Sequence, residues 1–114
     1  MEINILGASL DKFIKSLEKP TIAKVLRIID LLERFGFNLG LPHSKKVGAQ
    51  LYELRIRGAQ LYELRIRGAQ EVRLFYCFHK SRIFLLHGFI KKSQRIPRRE
   101  INLALKKARC LDKI

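Results

Sequence analysis

Acidic residues are the scarce class in this chain of 114 residues: ten Asp and Glu stand against 24 Lys and Arg, for a net charge of +14. The few carboxylates are scattered, whereas a two-metal nuclease centre needs several gathered around divalent ions. Cysteine is equally thin. Cys77 and Cys110 form no CxxC pair and show no metal-ligand spacing with His43, His79 or His87, which argues against a disulfide framework and a zinc site. Both cysteines are expected as small buried hydrophobes in a reducing compartment. No apolar run approaches the roughly 18 residues of a spanning helix, and residues 1–10 lack the basic start and apolar core of a signal peptide. The expectation is a cytoplasmic protein with no membrane partner, no cofactor and no metal.

What the chain does have is positive charge in concentrated form. Residues 91–109 carry Lys91, Lys92, Arg95, Arg98, Arg99, Lys106, Lys107 and Arg109 against the single acid Glu100. Arg55, Arg57, Arg65, Arg67 and Arg73 add to this on candidate strands, and Lys45 and Lys46 in a candidate loop. Solubility alone does not call for so lopsided a balance, and acidic residues would serve it better. The pattern implies a polyanionic partner, with nucleic acid foremost.

Apolar periodicity divides the chain. INIL at 3–6 reads as a short strand. Leu10, Phe13, Ile14 and Leu17 then follow helical spacing, with Ser9 placed as cap and Pro20 as stop. Ile22, Val25, Leu26, Ile29 and Leu32 repeat the pattern, with Thr21 as cap and Gly36 just past the end. Residues 37–50 have no period and read as a loop. From Leu51 the period becomes two, and EVRLFYCFH (71–79) and RIFLLHGFI (82–90) have the aromatic and branched content of central strands. After Pro97, residues Ile101, Ala104, Leu105, Ala108 and Leu111 share one helical face. The predicted architecture is a single α+β domain over 1–114, with an N-terminal strand, an αα-hairpin, an antiparallel β-meander and a C-terminal helix.

One segment is written twice. Residues 48–57 and 58–67 both read GAQLYELRIR, and a third GAQ follows at 68–70. Ten is even, so the insertion keeps every later strand residue on its original face. Either copy can pair with 71–79 through the same GAQ turn, and the short connection favours the second copy as that strand. An additional strand with an unpaired edge would offer a route to a strand-mediated homodimer.

Metal-free RNA cleavage suits these side chains. It asks for a base for the 2′-hydroxyl proton, cations for the charge building on the phosphorane, and an acid for the leaving oxygen. Arginines on a rigid sheet meet the middle need, since a guanidinium matches phosphate oxygens in pairs. His87 is a candidate acid or base. In an apolar strand it equally reads as a core or hydrogen-bonded histidine.

With one decapeptide removed, the chain from SKKVGAQLYELRIRGAQEVRLFYCFH through HGFIKKSQRIPRREINLALKKAR resembles the RelE/ParE superfamily of bacterial toxins, specifically its phage-derived HigB-like branch. LYELR before the hairpin and HGFIKKSQRIPRREI after the last strand carry the likeness. The resemblance implies a RelE-like fold and a type II toxin neutralised by a cognate antitoxin. HigB-like and RelE-like members are mRNA interferases that cleave mRNA in the ribosomal A site without metal. The ParE branch instead poisons DNA gyrase, which makes a gyrase inhibitor one alternative. A duplicated variant that keeps the fold and binds RNA or antitoxin without catalysis is another.

By position, Arg55 and Arg57, or their copies Arg65 and Arg67, match basic residues of the second strand of RelE-type toxins. Arg73 matches a phosphate-contacting arginine, and Lys91 and Lys92 lie where the last strand supplies a cation. With His87, read from its own chemistry, these make the candidate catalytic set, and Lys45, Lys46, Arg95, Arg98 and Arg99 are the candidate RNA-binding set from their charge. A lysine implicated in proton transfer is replaced by Glu53 or Glu63. The RelE-type C-terminal tyrosine and the final Asp-Tyr-His of some HigB toxins have no counterpart. His87, Glu53 or Glu63, and a lysine are left as candidates for general acid and base.

Overall fold

The two amphipathic stripes near the N-terminus fold as helices laid on one face of a sheet. The structure, a computed structural model, describes residues 1–48, 51–60, 69–92 and 94–111, with the backbone alone at 57–60, 69 and 70. In chain order come β1 (Ile3–Ile5), α1 (Ala8–Lys15), α2 (Lys19–Phe35), β2 (Ser44–Gly48), β3 (Leu51–Gln60), β4 (Ala69–His79), β5 (Arg82–Ile90) and α3 (Arg98–Cys110). The five strands form one sheet in the order β1-β5-β4-β3-β2. β1 runs parallel to β5, and the other neighbours are antiparallel. The α+β architecture thus holds, with two additions to the expected meander: a parallel edge strand, and β2 within the segment 37–50 read as loop.

The two sheet faces carry separate apolar clusters. Leu54, Ile56, Val72, Leu74, Tyr76, Ile83 and Leu85 meet Leu10, Ile14 and Leu17, together with Val25 and Leu32 of α2. On the other face Leu51, Phe75, Cys77, Leu86 and Phe89 meet α3 through Ile101, Ala104, Leu105, Ala108 and Leu111, the helical face read from the sequence. Burying each large side chain contributes about 1.5–3 kcal/mol, so the sheet is clamped from both sides. Tyr76 reaches from β4 under β3 to the Ser44 hydroxyl of β2 and stacks on Tyr52. That bond ties the edge strand to the centre.

Helix ends differ from the reading in detail. Ser9 and Thr21 do not cap: α1 starts one residue before Ser9, and α2 starts at Lys19 with Pro20 in its first turn. Proline suits that position because its missing N–H would have no helical partner there. Gly36 does end α2, at φ 51°, donating its N–H to the Leu32 carbonyl. Leu26 is 56% exposed rather than part of the core stripe. Cys77 is buried as expected, but Cys110 is exposed at the end of α3.

The decapeptide resolves differently from the sequence expectation. It is the first copy that pairs with β4, from Tyr52↔Tyr76 to Arg57↔Glu71. The same copy pairs on its other side with β2, through Ser44↔Leu54, Lys45↔Glu53 and Lys46↔Tyr52. The short-connection argument counted only the turn toward β4. The unforeseen β2 supplies an equally short one, since only residues 49 and 50 separate it from β3. Of the second copy, 58–60 continue β3 to a Gln60↔Ala69 pairing, and 61–67, with Arg65 and Arg67, lie outside the described residues. Among the described residues no helix is long and apolar enough to cross a membrane.

Candidate phosphate-binding and proton-transfer site

Strand register gathers the charged residues on the face that α3 covers in part. Lys45, Glu53, Phe75 and His87 form one row across β2, β3, β4 and β5, and Arg55, Arg73 and Phe89 form the next. Residues two apart on a strand share a face, so Glu71 joins Arg73 and the backbone register sets Arg57 opposite Glu71. Phe75 and Phe89 lie under α3, and the charged residues of β3 and β4 flank them on the same face.

Glu53 is the centre of this group. It is 1% exposed, yet it is a carboxylate. Burying such a charge is costly unless it is paired, and here it is paired twice. Arg55 Nε donates to Glu53 Oε1 at 2.9 Å, and Arg73 Nε stands 3.5 Å from Oε2. Arg73 Nη1 reaches Glu71 Oε2 at 3.0 Å. Its side chain is only 10% exposed, against 33% for that of Arg55. The two opposed guanidiniums would repel without the carboxylate between them. Glu53 therefore lies between two cations, bridging neighbouring strands. Arg55 is further fixed by its backbone N–H, which donates to the His43 carbonyl at 2.8 Å.

Beside this cluster a cavity of about 580 Å³ opens between α2 and β3, lined by Lys24, Arg27, His43, Arg55, Glu71 and Arg73 over Ile28, Leu31, Pro42 and Ile56. Lys24 and Arg27 were not singled out in the sequence because they sit on the polar side of an ordinary amphipathic helix. The geometry is a cationic rim over an aliphatic floor, suited to an anionic ligand.

His87 reaches the same face by a local irregularity. Strict alternation from Ile83 and Leu85 would send it into the core beneath α1. A register shift between Phe75 and Tyr76 instead sets Phe75 opposite His87 and Tyr76 opposite Leu85. The extra residue of such a bulge re-aims the following side chain. The imidazole Nε2 lies 2.6 Å from Oε2 of Glu100 in the first turn of α3, and its ring is nearly parallel to that of Phe89. Glu100 also approaches Arg99 through Oε1, at 3.6 Å. Its one sequence signal was being the lone acid in a basic stretch, just after Pro97.

The remaining expected cations are spread out. Lys91 extends the β4–β5 ladder, its N–H donating to the Glu71 carbonyl at 2.7 Å. Lys92 and Arg95 are exposed on the segment leading into α3, and Arg98 and Arg99 in its first turn. Lys45 shares the face of Glu53, whereas Lys46 turns to the opposite face, over the Tyr52 ring. Among the described residues no three His, Cys, Asp or Glu side chains gather as metal ligands.

A family model for phage-derived Gp49-like proteins matches residues 12–109. The chain belongs to the Gp49-like family. This is a toxin-like family related to RelE/HigB-type toxins, and the match runs from α1 to the last turn of α3, taking in both helical layers and every residue of the cluster above. The comparison with curated proteins gave no match.

Proposed function

We propose that this Gp49-like protein is the toxin of a type II toxin–antitoxin system and that it cleaves mRNA on the ribosome, with a cognate antitoxin as its partner. The observation that carries this reading is the opposed pair Arg55 and Arg73, held on neighbouring strands by the buried Glu53. Phosphoryl chemistry without bound metal needs fixed positive charge where the phosphorane forms, already oriented before the substrate arrives. Arg55, the more exposed of the two, serves as the phosphate contact. Arg73, opposite it on the neighbouring strand and more buried, adds charge and restrains Glu53. Lys91, Lys92, Arg95, Arg98, Arg99 and Lys45 then serve as the surface that docks on ribosomal RNA. Arg57 belongs to the same strand pattern and stands opposite Glu71 in register. The fold reading that goes with this proposal is RelE-like.

The test is primer extension on mRNA carried by translating ribosomes, comparing the parent chain, the chain lacking residues 58–67 (in which one copy of the β3 sequence remains) and the Arg55→Ala variant of that shortened chain. Arg55 is partly exposed, so the variant is expected to keep its fold, as checked by circular dichroism. Cleavage should fall by about 10²-fold or more, the scale for removing one donor from a site of developing charge. Normal cleavage by Arg55→Ala would remove Arg55 from the chemistry. A parent chain that leaves mRNA intact would overturn the endonuclease reading and turn attention to gyrase inhibition or to binding without catalysis.

A further inference from the structure

We propose that His87 and Glu100 form the proton-transfer pair of this site: the His87 Nδ1 atom takes the 2′-hydroxyl proton, and Glu100 is the positioning residue that holds the ring. This inference rests on the RNA-cleavage reading above and supplies the group that the resemblance to known toxins left without a counterpart.

Three observations converge. The β-bulge turns His87 out of the core and onto the arginine face, at the expense of a regular ladder position. The neighbouring Gly88 lets α1 press close, since a Cβ there would stand 2.7 Å from Leu74 Cδ2 and 2.8 Å from the Phe13 ring. The strand is thereby held in the bulged register from the other side. Finally, both members of the pair sit in a partly shielded position, 18% and 12% exposed, at a separation of 2.6 Å. His87 is the diagonal neighbour of Arg73 across β4 and β5, which sets their backbones about 7–8 Å apart.

The hydrogen bond decides the tautomer. A carboxylate accepts only, so the neutral ring must carry its proton on Nε2 and donate it to Glu100. Nδ1 then holds the lone pair. In the step we assign, the 2′ oxygen bonds to phosphorus as its proton passes to Nδ1. The bond from phosphorus to the 5′ oxygen breaks, and that oxygen leaves with the electron pair and takes a proton from water. The products are a 2′,3′-cyclic phosphate and a 5′-hydroxyl, and the imidazolium returns its proton to solvent. Glu100 stabilises the transient imidazolium without being protonated itself.

The experiment uses the full chain with ¹⁵N-labelled histidine and the variants His87→Gln and Glu100→Gln. It reads imidazole nitrogen shifts by NMR, and rate and end groups of mRNA cleavage on ribosomes. The parent should show His87 protonated on Nε2 and cut to cyclic-phosphate ends. His87→Gln should cut about 10²–10⁴-fold more slowly, the usual contribution of a positioned acid or base. Glu100→Gln should lose less, with a mixed tautomer population, because a carboxamide can donate as well as accept. If His87→Gln cleaves like the parent, the pair is a structural link between β5 and α3, and this proposal fails while the toxin reading stands. If Glu100→Gln leaves tautomer and rate unchanged, the positioning role fails. If the parent cuts nothing, both readings fall together.

Discussion

Deleting residues 58–67 is the perturbation whose outcome the register defines most closely. Because the two copies are identical, removing either gives the same chain. Arg57 pairs with Glu71 in the present structure, so the deletion joins these partners through Gly68, Ala69 and Gln70 alone. A connection of about 13 residues becomes one of about three, and the saving in closure entropy is about 1 kcal/mol, some of it already recovered by the Gln60↔Ala69 pairing. For a domain of this size that corresponds to a rise in melting temperature of about 4 °C. Thermal unfolding followed by circular dichroism reads the change. None of Glu53, Arg55, Glu71, Arg73, His87 or Glu100 is lost, and ten being even, none changes face. Ribosomal cleavage should therefore be equal or stronger in the shortened chain. A melting temperature lowered by several degrees would refute the reasoning and mean that the second copy is part of the folded core.

Two further expectations follow from the packing. Gly88→Ala puts a methyl group against Leu74 and Phe13 at 2.7–2.8 Å and should cost about 1–3 kcal/mol, the range for overpacking a filled core, measured as a urea midpoint shift at constant slope. Burial raises the Tyr76 pKa above the ordinary 10.0, the Ser44 bond opposing it. The folded chain thus keeps this phenol neutral where the unfolded chain ionises it. The contribution is whole below the unfolded value of about 10 and is lost as pH climbs through the higher folded value, so Tyr76→Phe should flatten the alkaline fall in stability that begins near pH 10.

How much of this was legible follows from which patterns are local. The α3 face Ile101, Ala104, Leu105, Ala108 and Leu111 was, because 3.6-residue periodicity is written along the chain and the helix uses all of it. So was the shared face of Glu53 and Arg55. Their ion pairing with Arg73 was not, because it depends on a cross-strand register. β2 escaped notice since SKKVG has one apolar side chain and takes its strand form from pairing with β3. His87 was ambiguous for a similar reason. Alternation alone sends it inward, and the bulge that reverses it belongs to the fit between β4 and β5. Glu100 could be seen as a lone acid but not as a partner, because its contact lies across 13 residues of chain. Helix caps were misread where proline in the first turn, rather than a side-chain cap, sets the start.

The duplication also limits what a mutation in β3 can cost. Glu53→Gln breaks a buried ion pair, and removing one partner of such a pair costs about 3–5 kcal/mol. Glu71 still engages Arg73, and Arg55 is a third exposed, so about 3 kcal/mol is the fitting end of that range. The full chain has a way around this loss. Glu63 sits in an identical decapeptide, and if that copy took the strand, the connection to β2 would lengthen to about 12 residues while the one to β4 shrank to about three. The two changes nearly cancel in closure entropy, leaving less than about 1 kcal/mol between registers. Glu53→Gln should consequently cost no more than about 1 kcal/mol in the full chain and about 3 kcal/mol in the chain lacking 58–67. The double variant Glu53→Gln, Glu63→Gln should restore the larger cost. Urea midpoints of the three proteins against their parents decide the matter. Equal losses for the single variant in both backgrounds would show that β2 holds the first copy too firmly for exchange, and that the second copy is a passenger.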